Sequence, residues 1–352
     1  MSKLKKYFSN NTTFSNYATY AGVIIAFVVL SIMSSSGALS STMEGQLVPV
    51  CAYVVMALSL NLTVGVMGEL SLGHAGFMSV GAFSGAVVAS AMQDFVEAPG
   101  LRLVIAMVVG AVFAGIVGII IGVPVLRLRG DYLAIVTLAF GEIIKSIVTN
   151  LYVGMDKEGL HFSFLEPLEG LGDGGRMIMS GPMGIPGNTK LSTFVAGVIL
   201  ILITLVVIFH LVNSRTGRAI MALRDNRIAA ESVGINATKY KMMGFVTSAA
   251  LAGAAGTLFG MSQNAIVASK FDFNTSILVL VFVVLGGLGR MWGSIIAAAA
   301  LTILPELLRE FSEYRMLIYA IVLILVMLAT NNATLKNWIG KLIPRRKGGA
   351  EE

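Results

Sequence analysis

Ten stretches of mostly apolar residues, each near bilayer length, dominate this sequence: roughly 19–37, 47–66, 70–91, 101–125, 131–153, 191–212, 241–263, 276–289, 291–308 and 316–331. A helix needs about 20 such residues to cross a hydrocarbon core. Lipid offers no partner to a bare N–H or C=O, so a chain of this pattern is confined to segments that bond internally. The fold class is therefore all-α, a polytopic membrane protein of about ten transmembrane helices. The soluble alternative is excluded by charge: 12% of residues are Asp, Glu, Lys or Arg, against about 25% in a soluble domain. The third stretch is rich in Gly and Ser between Gly68 and Gly85, which suits a broken or re-entrant helix as well as a clean span. The eighth and ninth are short and separated only by Gly289–Arg290.

Charge gives an independent orientation. If Lys3, Lys5 and Lys6 are cytoplasmic, ten crossings return the basic tail (Lys336, Lys341, Arg345, Arg346, Lys347) to the same side. Seventeen of the 25 Lys and Arg then lie inside, as the positive-inside bias requires. The expected organisation is a cytoplasmic segment 1–18, a transmembrane domain 19–335 with an external loop 154–190 and a cytoplasmic segment 213–240, and a tail 336–352. A cleaved leader over residues 1–40 is the competing reading of the N-terminus; its loss leaves nine spans and reverses no loop. Because the basic residues sit at loops and termini, the net charge of +6 reads as topology rather than as affinity for nucleic acid.

Thirty-nine glycines would weaken a soluble helical protein. In a membrane, small residues let helix backbones approach, and Gly81/Gly85, Gly118/Gly122, Gly256/Gly260 and Gly289/Gly293 have the spacing for it. The lone Cys51 allows no internal disulfide. His161 and His210 show no metal-ligand spacing, no nucleophile–histidine–carboxylate set appears, and no GxxxxGK[ST] phosphate loop is present. The chain is therefore expected to bind no cofactor and to catalyse nothing itself; its energy comes from a partner or an ion gradient.

Two hydrophilic stretches interrupt the pattern. The external one, 154–190, carries Phe162, Phe164, Leu165, Met177 and Ile178, which argue for partial packing; docking an external partner and simply capping the bundle are both open to it. The other, 213–240, has nothing to break a helix between Gly217 and Gly234, and Gly234 suits a C-terminal cap. At 100° per residue Ala219, Ala222, Leu223, Ala230 and Val233 share one face, while Met221, Arg224, Ile228 and Glu231 form a second stripe. A helix with two surfaces to satisfy fits between the membrane domain and a second protein, or on anionic lipid.

The run GRAIMALRDNRIAAESVGINATKYKMMGFVTSAALAGAAGTLFG resembles the most distinctive stretch of the LivM-type permeases of branched-chain amino acid ABC transporters. Similar matches occur at LSLGHAGFMSVGAF (70–83), LRLRGDYLAIVTLAFGEI (126–143) and VLGGLGRMWGSIIAAAALTILPELL (284–308), in the family's order. The resemblance implies an ABC importer permease fold in a bacterial cytoplasmic membrane. It also implies a second related permease subunit, two ATP-binding-cassette subunits holding ATP and magnesium, and an extracytoplasmic binding protein. Carried over by position, Arg218, Arg224, Asp225, Asn226, Ala230, Glu231 and Gly234 match the ATPase-coupling motif. Urea and short-amide ABC permeases share these motifs and form the alternative; an ion-coupled secondary transporter is the more distant one.

Ionisable groups inside spans are functional candidates by default. Glu142 and Lys145 lie three apart on one face of the fifth span and are expected to pair. His74 is expected to bond a neighbouring helix. For a zwitterionic, apolar cargo, backbone groups at broken helices can meet the charged ends. Ser71, Gly73, His74, Gly76, Ser248, Gly253 and Gly256 are the expected pathway residues.

Overall fold

The computed structural model describes residues 2–38, 40–128, 130–156, 159–168 and 175–308, with isolated positions between 314 and 324; of residues 2–16, 94 and 131 it describes the backbone alone. The chain divides into two compact units, Met1–Ala299 and Ala300–Glu352. The tenth expected span lies mostly outside the described residues, and the basic tail entirely so.

Eleven α-helices occur among the described residues: α1 (Ser2–Ser35), α2 (Ser41–Asn61), α3 (His74–Ala91), α4 (Pro99–Val125), α5 (Asp131–Thr149), α6 (Phe194–Asn213), α7 (Arg215–Asp225), α8 (Arg227–Ser232), α9 (Ala237–Gly260), α10 (Phe273–Gly286) and α11 (Met291–Leu307). Among those residues eight helices are long and apolar enough to cross a membrane, α2 being counted with the π-helical turn Leu62–Val66 that extends it. The nine expected stretches up to residue 308 each correspond to a helix. The third, expected to begin near residue 70, begins at His74, after a non-helical link through Gly68–Gly73.

Two expectations are corrected. The fifth span, expected to reach residue 153, ends as α5 at Thr149, and Leu151 starts a strand. The 154–190 stretch, expected to be a loop, holds most of an antiparallel sheet: β1 (Leu151–Asp156), β2 (Gly159–Phe164) and β3 (Arg176–Ser180) pair in the order β2-β1-β3. Leu160, Phe162 and Phe164 alternate with His161 and Ser163 along β2, a period of two hidden by the glycines around it. The sheet leaves the membrane body all-helical. Backbone pairing of Ile185 with Ile266 and a bond from Asn188 N to Asn264 O (2.8 Å) tie the insert to the link between α9 and α10.

Buried helices α2, α3 and α9 form the centre, locked by edge-on ring contacts such as Phe77–Phe245 and Tyr53–Phe259. Around them α1, α4, α5 and α6 turn apolar side chains outward; on α4 these include Leu101, Val104, Val108, Val112, Ile116 and Ile120. Such a continuous stripe is what lipid covers and water does not tolerate.

Glycine sets the spacing of the centre. A β-carbon on Gly253 of α9 would lie 2.6 Å from Gly110 O of α4, and one on Gly81 of α3 would strike the Gly253 backbone. Thr257 closes the same crossing by donating its hydroxyl to Gly81 O at 2.8 Å. Three backbones thus meet where no side chain fits.

Candidate functional site

At the end of the bundle opposite the sheet, α7 packs against α6, α9 and the π turn after α2, and α8 packs against α9. They are not the single helix expected between Gly217 and Gly234. Asn226 adopts extended backbone (φ −154°, ψ 103°), ends α7, and accepts from Ala229 N at 3.0 Å to cap α8. Asn and Asp compete in this way for helix termini, so an Asp-Asn pair inside an amphipathic run is a stop signal. Gly234 (φ 86°) follows α8, with bonds from Gly234 N to Glu231 O and from Ile235 N to Ala230 O. That pattern is the Schellman closure.

The break re-aims the second stripe. Ala219, Leu223 and Ala230 are buried, and Leu223 and Ala230 pack with Ala237, Ile235 and Tyr240. Val233, expected on that same face, is instead 76% exposed, and Ile228 is 80% exposed. Both point away from the bundle on a short, tightly capped element.

Behind α7 the side chains turn inward. Arg224 packs its methylenes against Gly68, where a β-carbon would lie 2.6 Å from Arg224 Cγ, and Gly68 holds a φ of 74° that favours glycine. Its guanidinium donates to Gly65 O (3.2 Å) and to Asp225 Oδ1 (2.9 Å). Arg218 donates to Asn213 O at 3.1 Å, closing the end of α6, and Glu231 accepts from Arg227 at 2.8 Å on the exposed side. Lys241 of α9 pairs with Glu69 in the link after the π turn; their side chains are only 10% and 12% exposed. A cavity of about 440 Å³ opens among Gly68, Glu69, Arg224, Ile228, Glu231 and Lys241.

A polar seam continues inward from there. Thr63 donates to Ser248 Oγ (2.8 Å), and Ser248 donates to Ser59 O (2.6 Å). Ser59 gives its own proton to Met56 O, so it accepts from His74 Nε2 at 2.8 Å. His74 Nδ1 is left as a buried acceptor without a partner among the described residues. Asn61 reaches Gly289 N (2.8 Å) and Ser294 Oγ (3.0 Å), and Ser276 accepts from Ala75 N (3.1 Å). Each bond is individually worth only about 1 kcal/mol, but burial makes a broken one cost about 1–3 kcal/mol.

The seven expected pathway residues are all enclosed by helix packing. Ser71, His74 and Ser248 are buried. A β-carbon on Gly73 would strike Thr137 O, one on Gly76 would lie 3.1 Å from Gly141 Cα, and one on Gly256 would strike Met78 O. Together with Gly253 they serve close approach of α3 to α5 and of α9 to α3 and α4. Glu142 and Lys145 pair at 3.2 Å on a half-exposed face of α5. Sequence reasoning missed Asn61, Gly65, Gly68 and Ser294. The available signal was an asparagine deep in an apolar run with two glycines on its C-terminal side.

Among the described residues no group of three or more His, Cys, Asp or Glu could hold a metal ion. Residues 42–327 match the family described as "Branched-chain amino acid transport system / permease component". The chain belongs to that family. It is 36% identical over 286 residues to the high-affinity branched-chain amino acid transport system permease proteins LivM of Salmonella typhimurium and of Escherichia coli. Each match covers 78% of this permease and 66% of the relative, so the chain spans just under two thirds of the length of those proteins. The ribose import permease protein RbsC of Escherichia coli is 27% identical over 79% of this permease and 81% of its own length. No solved structure matches.

Proposed function

We propose that this permease is the membrane-spanning subunit of an ATP-driven importer of leucine, isoleucine and valine, coupled to separate ATP-binding-cassette subunits. The observation that carries the reading is the α7–α8 element. Ile228 on the six-residue helix α8 and Val233 at its C-cap stand exposed beside α7, whose Arg224 bonds Gly65 of the bundle. Two bare apolar side chains on a rigid, basic element suit insertion into a groove on another protein, where a few buried anchors carry most of the binding energy.

On this reading the α7–α8 end is cytoplasmic and both termini lie on that side. The sheet faces outward, toward a binding protein that delivers the amino acid. A second, related permease completes the translocation pathway, which accords with the tight packing of this chain's own small residues. The cargo follows from the similarity to the LivM proteins, whose names specify branched-chain amino acid transport.

The test is expression of the whole transporter with tagged permease. ATPase subunits and a second hydrophobic subunit are expected to copurify in mild detergent. Ile228→Asp is expected to reduce the retained ATPase at least about tenfold, since it puts a charge at an apolar anchor, while the second permease stays bound. Undiminished ATPase retention and undiminished leucine uptake with Ile228→Asp would remove α8 from the dock.

A further inference from the structure

We propose that Asn61, carried on the π-helical end of α2, is the positioning residue that passes movement of α7–α8 to the α10–α11 turn. The inference rests on the coupled-permease reading and extends it inward from the dock.

The π turn is where the two elements meet. Met67 N bonds Leu62 O at 3.1 Å, the five-residue closure that widens the helix at Leu62–Val66. Such turns are rare and concentrate at functional positions; exchanging an i→i+5 closure for an i→i+4 one shifts the register of the residues after the turn. Gly65 sits at its middle and is held from both sides. Its carbonyl accepts from Arg224, and its α-carbon lies so close to the Gly289 backbone that a β-carbon would strike it. Arg224 is thus joined to Gly65 by one bond, and a displacement of Gly65 toward the bundle pushes on Gly289.

Contact alone transmits a push. Asn61 adds the pull. Four residues before Gly65, it is fully buried; its carbonyl oxygen accepts from Gly289 N at 2.8 Å and its amide donates to Ser294 Oγ at 3.0 Å. One side chain thus grips the turn (Gly287–Arg290) and the first turn of α11 together. The turn has the freedom to respond: Gly287 and Gly289 both hold positive φ (93° and 78°), and Leu288 and Arg290 are exposed. A buried amide with both ends satisfied has two discrete states, bonded or broken, and that property lets a packed interface switch rather than deform.

Leucine in place of Asn61 keeps the branched outline, though it is bulkier, and removes the bonds to Gly289 and Ser294 together with the weaker one to Met291 Sδ (3.6 Å). In the assembled transporter in proteoliposomes, Asn61→Leu is expected to retain its ATPase subunits and ATP hydrolysis while leucine uptake per ATP hydrolysed falls about tenfold, the typical scale of a lost coupling. Leu288→Cys supplies a readout that simple destabilisation does not move. Cys51 is buried and stays unlabelled, so the rate of thiol labelling at 288 reports the turn. It is expected to change on adding ATP and vanadate in the otherwise native chain and to become nucleotide-independent with Asn61→Leu. An uptake-to-hydrolysis ratio within about twofold of the parent, with labelling still nucleotide-dependent, overturns the proposal. A parent transporter that shows no ATP-driven uptake instead sinks the coupled-permease reading itself. Should Asn61→Leu fail to assemble, Ser294→Ala decides: a ratio lowered about threefold or more supports the joint, and an unchanged ratio overturns it.

Discussion

Gly253→Val is expected to leave no stably folded permease. The new side chain would enter the crossing of α3, α4 and α9, where a β-carbon already lies 2.6 Å from Gly110 O and collides with Ala114. Backbone cannot yield as a flexible side chain can, so the helices must separate. Overpacking of this kind costs about 3 kcal/mol or more, a large share of a total stability of about 5–15 kcal/mol. The measurement is the yield of monodisperse protein in mild detergent and its unfolding temperature. Gly115→Ala is the control: its β-carbon would meet Ala250 at an ordinary 3.7 Å. There the helix should gain up to about 1 kcal/mol from the lost flexibility of glycine. Normal yield with Gly253→Val would show that the crossing is looser than its geometry.

Lys241→Ala is expected to cost about 1–3 kcal/mol, because it leaves the Glu69 carboxylate, only 12% exposed at the edge of the cavity, without its partner. The pair joins the link after the π turn to the first turns of α9, so the loss should appear both as a lower unfolding temperature and as loosening of that link. Replacing both partners with apolar residues, Glu69→Leu with Lys241→Met, should recover most of the loss, since a buried ion pair and a packed apolar pair of similar volume are often near parity. A single substitution costing less than about 1 kcal/mol would mark the pair as an ordinary surface one.

Much of the architecture was legible because bilayer thickness writes itself into sequence length. Every membrane-length helix up to residue 308 stood out as an apolar run, and α4 and α6 carry almost nothing else. The boundaries that failed did so where a local polar group outcompeted the pattern. Asn226 splits α7 from α8 by capping, which a helical wheel cannot register because the wheel assumes one continuous axis. The sheet escaped notice because its strands are short and separated by glycines. For the site, the motif around Arg224 named the element but not its internal partner. The carbonyl of Gly65 lies 159 residues away in the chain, and a backbone acceptor leaves no compositional trace. Asn61 was invisible for a related reason: its partners Gly289 and Ser294 are 228 and 233 residues distant. The glycines were readable as packing residues by type, whereas the backbones they admit became known only from the crossings.

The strand pairing between Ile185 and Ile266 carries its own consequence. With Asn188 and Leu191 also bonded to the segment that closes α9, the outer insert is sewn to the chain that leads into α10. An insert hinged only at its two ends could tilt freely; this one carries with it the link that closes α9 and leads toward α10. A displacement of the insert is therefore passed to the chain that leads toward α10, and α10 ends in turn at the Gly287–Arg290 turn that Asn61 holds.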